Sequence, residues 1–504
     1  MPLPEPDPVL CRALAADLDA AGYRTDAVRE TWGDAADGAL GRGHTLPIRR
    51  RLAGDESALA VVARLFGIGD AVPVEAASRA FPATAIAGLQ ALGLARVDDG
   101  MLRPTALVRP QAFIDEDAVG EWWVASDLDE AALGGPLPED HVLGVGGASL
   151  TLAGLQLTSP VHTALDLGCG CGIQSLRARR AAASVVATDV SQRALRFTRL
   201  NALLNGADAI STRAGDMFAP VAGERFDRVV SNPPFVITPR VDGVPAYEYR
   251  DGGRVGDALV AEFIAGVGAH LTSGGTAQLL ANWETRDGAA GLDRVRGWVD
   301  AAGLDAWVIE RELLDPVAYA ELWIRDAGTL PGTPEFDALL GAWLDDFAAR
   351  GVSEVGFGYI LLRRPVGAVT LARYERMPQP VPEHALGAHL GRSLAAHDRL
   401  VELDDTALAA AVLIVAGDVT EARHHLPGAE APSVIELRQG GGFGRVVEAD
   451  PALAALVGAC DGDLAVGPLI AAIAQLLEVD PGALRDDLLP RVRELVFAGF
   501  LAFA

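Results

Sequence analysis

Four short stretches carry residue types whose spacing could do chemistry. In ALDLGCGCG, at 164–172, Asp166 stands in a short apolar run that leads into Gly168, Gly170 and Gly172. Glycine lets a backbone turn sharply and come close to a ligand, and a helix opening at Ile173 would add free N–H groups. In a parallel α/β sheet a nucleotide-like ligand sits at such a turn. The second is Asp189, which ends the run SVVATD 23 residues after Asp166. A carboxylate there can accept both hydroxyls of a ribose. Asp189 and Ser191 also precede the helical stretch SQRALRFTRLNALL and could cap it. The third is Gly215–Asp216–Met217, at the end of the next predicted strand, and the fourth is Asn232–Pro233–Pro234–Phe235, directly after FDRVVS.

The fourth stretch is the most specific. Two prolines remove two backbone donors and fix φ twice, so the chain there is stiff and extended. The Asn232 side-chain oxygen and the Pro233 carbonyl then stand as preset acceptors, and two acceptors suit an NH2 group with two hydrogens to give. Phe235 offers a face for a planar amide or base. A planar nitrogen is a poor nucleophile because its lone pair is delocalised. Holding both N–H bonds and turning the group favours a nitrogen whose lone pair can attack, so the catalysis required is orientation and acceptor placement.

These residues need a sheet to bring them together. Ala164–Leu167, Ser184–Thr188, Arg225–Ser231, Thr276–Leu280, Trp307–Glu310 and Gly358–Leu362 read as strands, separated by stretches long enough for crossover helices. That alternation predicts a mostly parallel sheet covered on both faces. A dinucleotide fingerprint would need a third glycine where Ile173 stands, so a nicotinamide oxidoreductase is disfavoured.

The pattern D-x-G-x-G-x-G, an acidic residue ending the second strand and NPPF after the fourth together resemble the class I S-adenosylmethionine-dependent N-methyltransferases that carry a (D/N/S)PP(Y/F/W) motif. The resemblance covers about 160–365. It implies a Rossmann-like α/β core with a seven-stranded, mostly parallel sheet, and S-adenosylmethionine as cofactor. It further implies that Asp166, Gly168, Cys169, Gly170, Gly172, Asp189, Val190, Asp216, Met217 and Asn232 contact that cofactor, with Asp216 accepting the adenine amino group. Asn232, Pro233, Pro234 and Phe235 would form the catalytic pocket. Tyr249–Arg250–Asp251–Gly252–Gly253, with Gly256–Asp257, is similar to the segment of the release-factor glutamine methyltransferases. A protein glutamine, as in a translation release factor, is therefore the expected target. Guanine-N2 or adenine-N6 of ribosomal or transfer RNA is the alternative.

The flanks read differently. Residues 1–110 are mainly helical, with Leu10, Leu14 and Leu18 at helical spacing. Helices over Val74–Phe81 and Thr84–Leu92 and a hairpin turning at Asp98–Asp99–Gly100 resemble a winged helix. The second of these helices has no arginine with which to read bases, so a nucleic-acid-binding regulator ranks below the enzyme. Residues 111–159 read as a connection, with a strand at Trp122–Val124 and a glycine-rich turn in HVLGVGGASLTLAG. After the proline-rich MPQPVP, residues 370–504 read as a second α+β module of winged-helix type, with helices over Val466–Leu477 and Pro481–Val496. GGGFGR, at 440–445, reads as a hairpin turn, and His424–His425 and Arg49–Arg50–Arg51 as solvated.

The formal charge of −26, from 68 acidic residues against 42 basic ones that are all arginine, opposes encounter with phosphate backbones. Four cysteines in 504 residues are no disulfide framework and suggest a reducing compartment. Cys169 and Cys171 read as small side chains of a tight loop, and no metal is expected. No membrane span and no secretory signal are apparent, so a cytoplasmic protein is expected.

Overall fold

The computed structural model describes residues 3–114, 119–134, 137–138, 140–241, 243–244, 250–380 and 386–504. It divides into two compact units, Met1–Ala153 with Pro160–Pro378, and Gly154–Ser159 with Gln379–Ala504.

The first unit is organised by a sheet of eight strands: β1 (Val161–Leu167), β2 (Ala182–Asp189), β3 (Ile210–Ala214), β4 (Phe226–Ser231), β5 (Leu271–Arg286), β6 (Asp305–Leu314), β7 (Val352–Arg363) and β8 (Ala372–Arg376). Their order is β8-β6-β7-β5-β4-β1-β2-β3. All neighbours pair in parallel except β7, which runs antiparallel between β5 and β6. The six apolar runs read from the sequence all fall on strands of this sheet, with only Arg225 lying one residue ahead of its strand. Buried parallel strands are apolar on both faces, which is why they show as runs. The sheet has one strand more than expected. The extra strand, β8, has the sequence ARYER and forms the edge beside β6. An edge strand needs little apolar surface, so it leaves a weak trace in sequence, and Pro365 ahead of it reads as a boundary.

The strand order reverses at β1, which lies between β2 and β4. Loops leaving the ends of β1 and β4 therefore open onto one crevice, the usual ligand position in a doubly wound sheet. This topology brings residues near 170 against residues near 232.

The N-terminal part of this unit forms the expected helices, Val74–Ala80 and Ala85–Ala91, and the hairpin of strands 95–98 and 101–104, which Val72–Pro73 extends to three strands. Helix Pro8–Ala20 is capped by Asp7, whose side chain accepts from Val9 N–H and Leu10 N–H, and Leu14 and Leu18 are fully buried. Arg49–Arg50–Arg51 ends the helix Leu46–Arg51, and Arg49 pairs with Asp70 at 2.7 Å.

The stretch read as a connection is more than a linker. Strands Leu107–Ile114 and Val119–Ser126 pair antiparallel, and Trp123 shares a core with Leu14, Leu18, Cys171, Ile173, Phe197 and Leu200. Helix Gln192–Leu204 meets this hairpin through side chains. Asn201 Oδ1 accepts Ala125 N–H at 2.7 Å, and Asn201 Nδ2 donates to Ala125 O at 2.9 Å and to Cys171 O at 2.7 Å. Asn205 makes the matching pair with Trp123.

The second unit holds the helices Val466–Leu477 and Pro481–Phe497, and two three-stranded sheets. GGGFGR joins strands Val434–Gln439 and Val446–Ala449, which pair antiparallel, so it is a hairpin turn. His424 is exposed and pairs with Glu436 at 3.2 Å. Val381 and Pro382 of MPQPVP lie outside the described residues. No helix among the described residues is long and apolar enough to cross a membrane.

Candidate active site

The glycine loop leaves β1 tied to β2: Gly168 N–H and Cys169 N–H both donate to Thr188 O, at 2.9 and 3.0 Å. Gly168 and Gly170 have φ of +75° and +53°, and a Cβ at either would stand in open space. Both keep bare backbone beside the crevice. Gly172, with φ +84°, differs. A Cβ there would meet the Thr198 side chain at 2.9 Å and its Cα at 3.0 Å. Gly168 and Gly170 thus leave room for a ligand, and Gly172 lets the loop pack on helix Gln192–Leu204.

Asp189 braces this loop. Its Oδ2 accepts Gly170 N–H at 3.0 Å and its Oδ1 accepts Ser191 N–H at 2.9 Å. Burial raises the Asp189 carboxyl above its usual range, against the lowering effect of these N–H donors. Ser191, not Asp189, is the N-cap of the following helix, accepting Ala194 N–H at 3.4 Å.

Gly168, Cys169, Gly170, Asp189, Val190, Asp216, Met217, Asn232, Pro233 and Pro234 line one cavity of about 480 Å³. That lies within the ~300–1,000 Å³ of small-molecule and cofactor sites. Asp216, at its rim, is paired with Arg254 at 3.1 Å. Cys169 and Cys171 are buried free thiols, and burial pushes both up, Cys171 to about 11.

Asp166, Gly172 and Phe235 stand outside this lining. Phe235 packs with Phe357, ring centres 5.5 Å apart, on the cluster around Tyr319 and Trp343. Asp166 lies within β1, fully buried, and accepts the Ser175 hydroxyl at 2.6 Å. Burial raises its carboxyl to about 7; the Ser175 bond opposes the rise and the Asp189 charge adds to it.

The Asp166 shift predicts a pH dependence. Its value is 3.8 without the fold, so between about pH 4 and 7 the folded state keeps a proton that the unfolded chain has released. The stability this contributes is present below about pH 4 and is lost as pH rises through about 7. Urea unfolding of wild type and Asp166→Asn at pH 5 and pH 8 checks this. Wild type should lose more stability between the two pH values than the variant does. Parallel losses would mean that Asp166 stays ionised in the fold.

Asn232 follows β4, which is held to β1 by the Ser231 hydroxyl donating to Leu167 O at 2.7 Å. Its Nδ2 donates to Ser149 Oγ at 3.3 Å. Its Oδ1 is buried and has no hydrogen-bond partner among the described residues. A buried acceptor left open costs stability unless something fills it. Beyond the prolines, Val236 N–H donates to Arg250 O at 2.9 Å, and Phe235 bridges Asp251. Arg240 Nη1 donates to Asp251 Oδ2 at 2.8 Å, and Gly253 N–H to Asp251 Oδ1 at 2.9 Å. The Arg250–Gly253 segment is thereby drawn beside the NPPF turn. Tyr249 lies outside the described residues.

Sequence reasoning missed one wall. His141, Val142, Leu143, Gly144, Ser149 and Gln174 also line the cavity. His141 is buried, and desolvation lowers its basicity. The signal was a histidine and a serine set among apolar residues in HVLGVGGAS, a stretch read as connecting chain.

Comparison with known proteins adds to this geometry. Residues 146–295 match the methyltransferase small domain, and residues 20–105 match a domain of unknown function. The chain is 37% identical over 159 residues to a release factor glutamine methyltransferase of Cereibacter sphaeroides, covering 29% of this chain and 54% of that protein. It is 36% identical over 157 residues to one of Xylella fastidiosa, with the same coverage. It is 32% identical over 123 residues to a ribosomal protein uL3 glutamine methyltransferase of Xanthomonas campestris pv. campestris, covering 23% and 40%. The chain thus spans about half the length of the first relatives it matches. Strand order, a glycine-lined crevice at the sheet reversal and the match over 146–295 agree: the first unit carries a class I methyltransferase domain on a Rossmann-like α/β fold.

Proposed function

We propose that this protein transfers a methyl group from S-adenosylmethionine to the side-chain amide nitrogen of a glutamine in a protein substrate. The observation that carries the reading is the open, buried Asn232 Oδ1 beside two prolines on a cavity wall. The glutamine target is supported by the names of the relatives, and the acidic charge favours a protein over RNA.

The residues fit the cofactor. Gly168 and Gly170 leave space where side chains would intrude. Asp189, already an acceptor of two backbone N–H groups, would take the ribose hydroxyls with its remaining lone pairs. Asp216 and Met217 would flank the adenine. When bound, the cofactor supplies a methyl group on a sulfonium. The chain's own residues orient the other reactant. Asn232 Oδ1 and Pro233 O accept the two amide N–H bonds and turn the nitrogen toward the methyl carbon. Transfer of that methyl group to the nitrogen held by Asn232 and Pro233 would leave the demethylated donor and would release one amide proton to solvent. Phe235 steadies this turn from behind through Phe357.

The test is radiolabelled methyl transfer, offering a release factor with a Gly-Gly-Gln loop beside deproteinised ribosomal RNA. Label on the glutamine of the protein is the expected result. Label on RNA alone overturns the glutamine reading.

A further inference from the structure

The two ends of the Asn232 amide are treated differently: Nδ2 donates to Ser149 Oγ, and Oδ1 is left open. Ser149 belongs to helix Gly147–Leu155, ahead of β1. It is itself held, because Gln174 Nε2 donates to Ser149 O at 2.7 Å. Gln174 is buried in the first turn after the glycine loop. All three residues line the cavity.

An asparagine side chain exchanges its oxygen and nitrogen by half a turn about one bond. In the wrong sense it would point an NH2 group at an acceptor nitrogen that also has hydrogens to give. A free amide would lose orientation and rate even with every acceptor atom present. A contact on Nδ2 fixes the plane of the amide, and it fixes the sense as well while the Ser149 hydroxyl accepts and does not donate.

We propose that Ser149 is a positioning residue for methyl transfer. Its hydroxyl holds the plane of the Asn232 amide so that Oδ1 faces the acceptor, and Gln174 sets the Ser149 backbone. This rests on reading Asn232 as the acceptor-binding residue. Ser149 touches neither reacting atom and acts through Asn232.

The chain has four asparagines, Asn201, Asn205, Asn232 and Asn282, so asparagine-selective nitrogen-15 labelling of the full chain gives few side-chain NH2 signals. Asn232→Asp identifies the one wanted. In wild type the Asn232 signal should be protected from solvent exchange. In Ser149→Ala it should shift and lose protection, and in Ser149→Thr, which keeps the hydroxyl, protection should return. In the same preparations Ser149→Ala should lower kcat roughly tenfold, with S-adenosylmethionine affinity by calorimetry and acceptor KM little changed. Ser149→Thr should recover most of kcat. An unmoved Asn232 signal overturns the proposal, as does a moved signal with kcat unchanged. A loss confined to donor affinity also overturns it, making Ser149 a donor contact. If wild type methylates no offered acceptor, the proposed function fails, and the Asn232 signal alone decides this inference.

Discussion

Asn232→Ala is expected to lower kcat for methyl transfer by ~10²–10³-fold, the usual cost of removing one preset polar contact from a reaction centre. Affinity for S-adenosylmethionine should change little, because the glycine loop and Asp189 stay in place. The reason lies in what Oδ1 lacks. It has no hydrogen-bond partner among the described residues, which under the proposed reading leaves it to take an N–H of the acceptor. Alanine leaves the Pro233 carbonyl to hold one N–H alone, and the nitrogen is then free to swing. Single-turnover kinetics with preloaded donor separates this from a binding defect. A kcat within about tenfold of wild type would mean that acceptor orientation is carried elsewhere.

The second large effect is on stability. Gly172→Ala should destabilise the protein by about 3 kcal/mol, combining a left-handed backbone at φ +84° with a clash on Thr198. The clash is hard to relieve, since one of the atoms met is the Thr198 Cα at 3.0 Å. Gly168→Ala is the comparison. Its φ is +75° but its Cβ meets nothing within 4 Å, so it should cost roughly 1–2 kcal/mol. Its methyl should instead weaken donor binding. Urea unfolding of the two variants, followed by donor titration, checks the pair. Equal stability losses would show that the Thr198 contact carries no weight.

How far the molecule was legible in its sequence depended on the kind of signal. The strands were visible because buried parallel strands leave unbroken apolar runs. The NPPF turn was visible because two consecutive prolines after such a run have few structural uses. Layer depth was not visible. Asp166 and Gly168 are two residues apart, yet one faces Ser175 behind the loop and the other stands at the cavity. Phe235 follows Pro234 directly and turns away toward Phe357. The direction of a side chain at a strand end depends on the turn beyond it, and spacing does not encode that. The 141–149 wall was hidden for another reason. Its chemistry lies in single residues such as Ser149, whose partners Asn232 and Gln174 are supplied by distant elements.

Asn201 has a consequence for the whole first unit. One side chain holds both the Ala125 backbone of the N-terminal hairpin and the Cys171 carbonyl of the glycine loop. A ligand that stiffens the loop and a partner that grips the hairpin act on the same three hydrogen bonds. Whatever factor one binding event imposes on the other's affinity is returned in full, because the coupling free energy belongs to both. The N-terminal region and the glycine loop are in this sense coupled through one amide as well as through the core they share around Trp123.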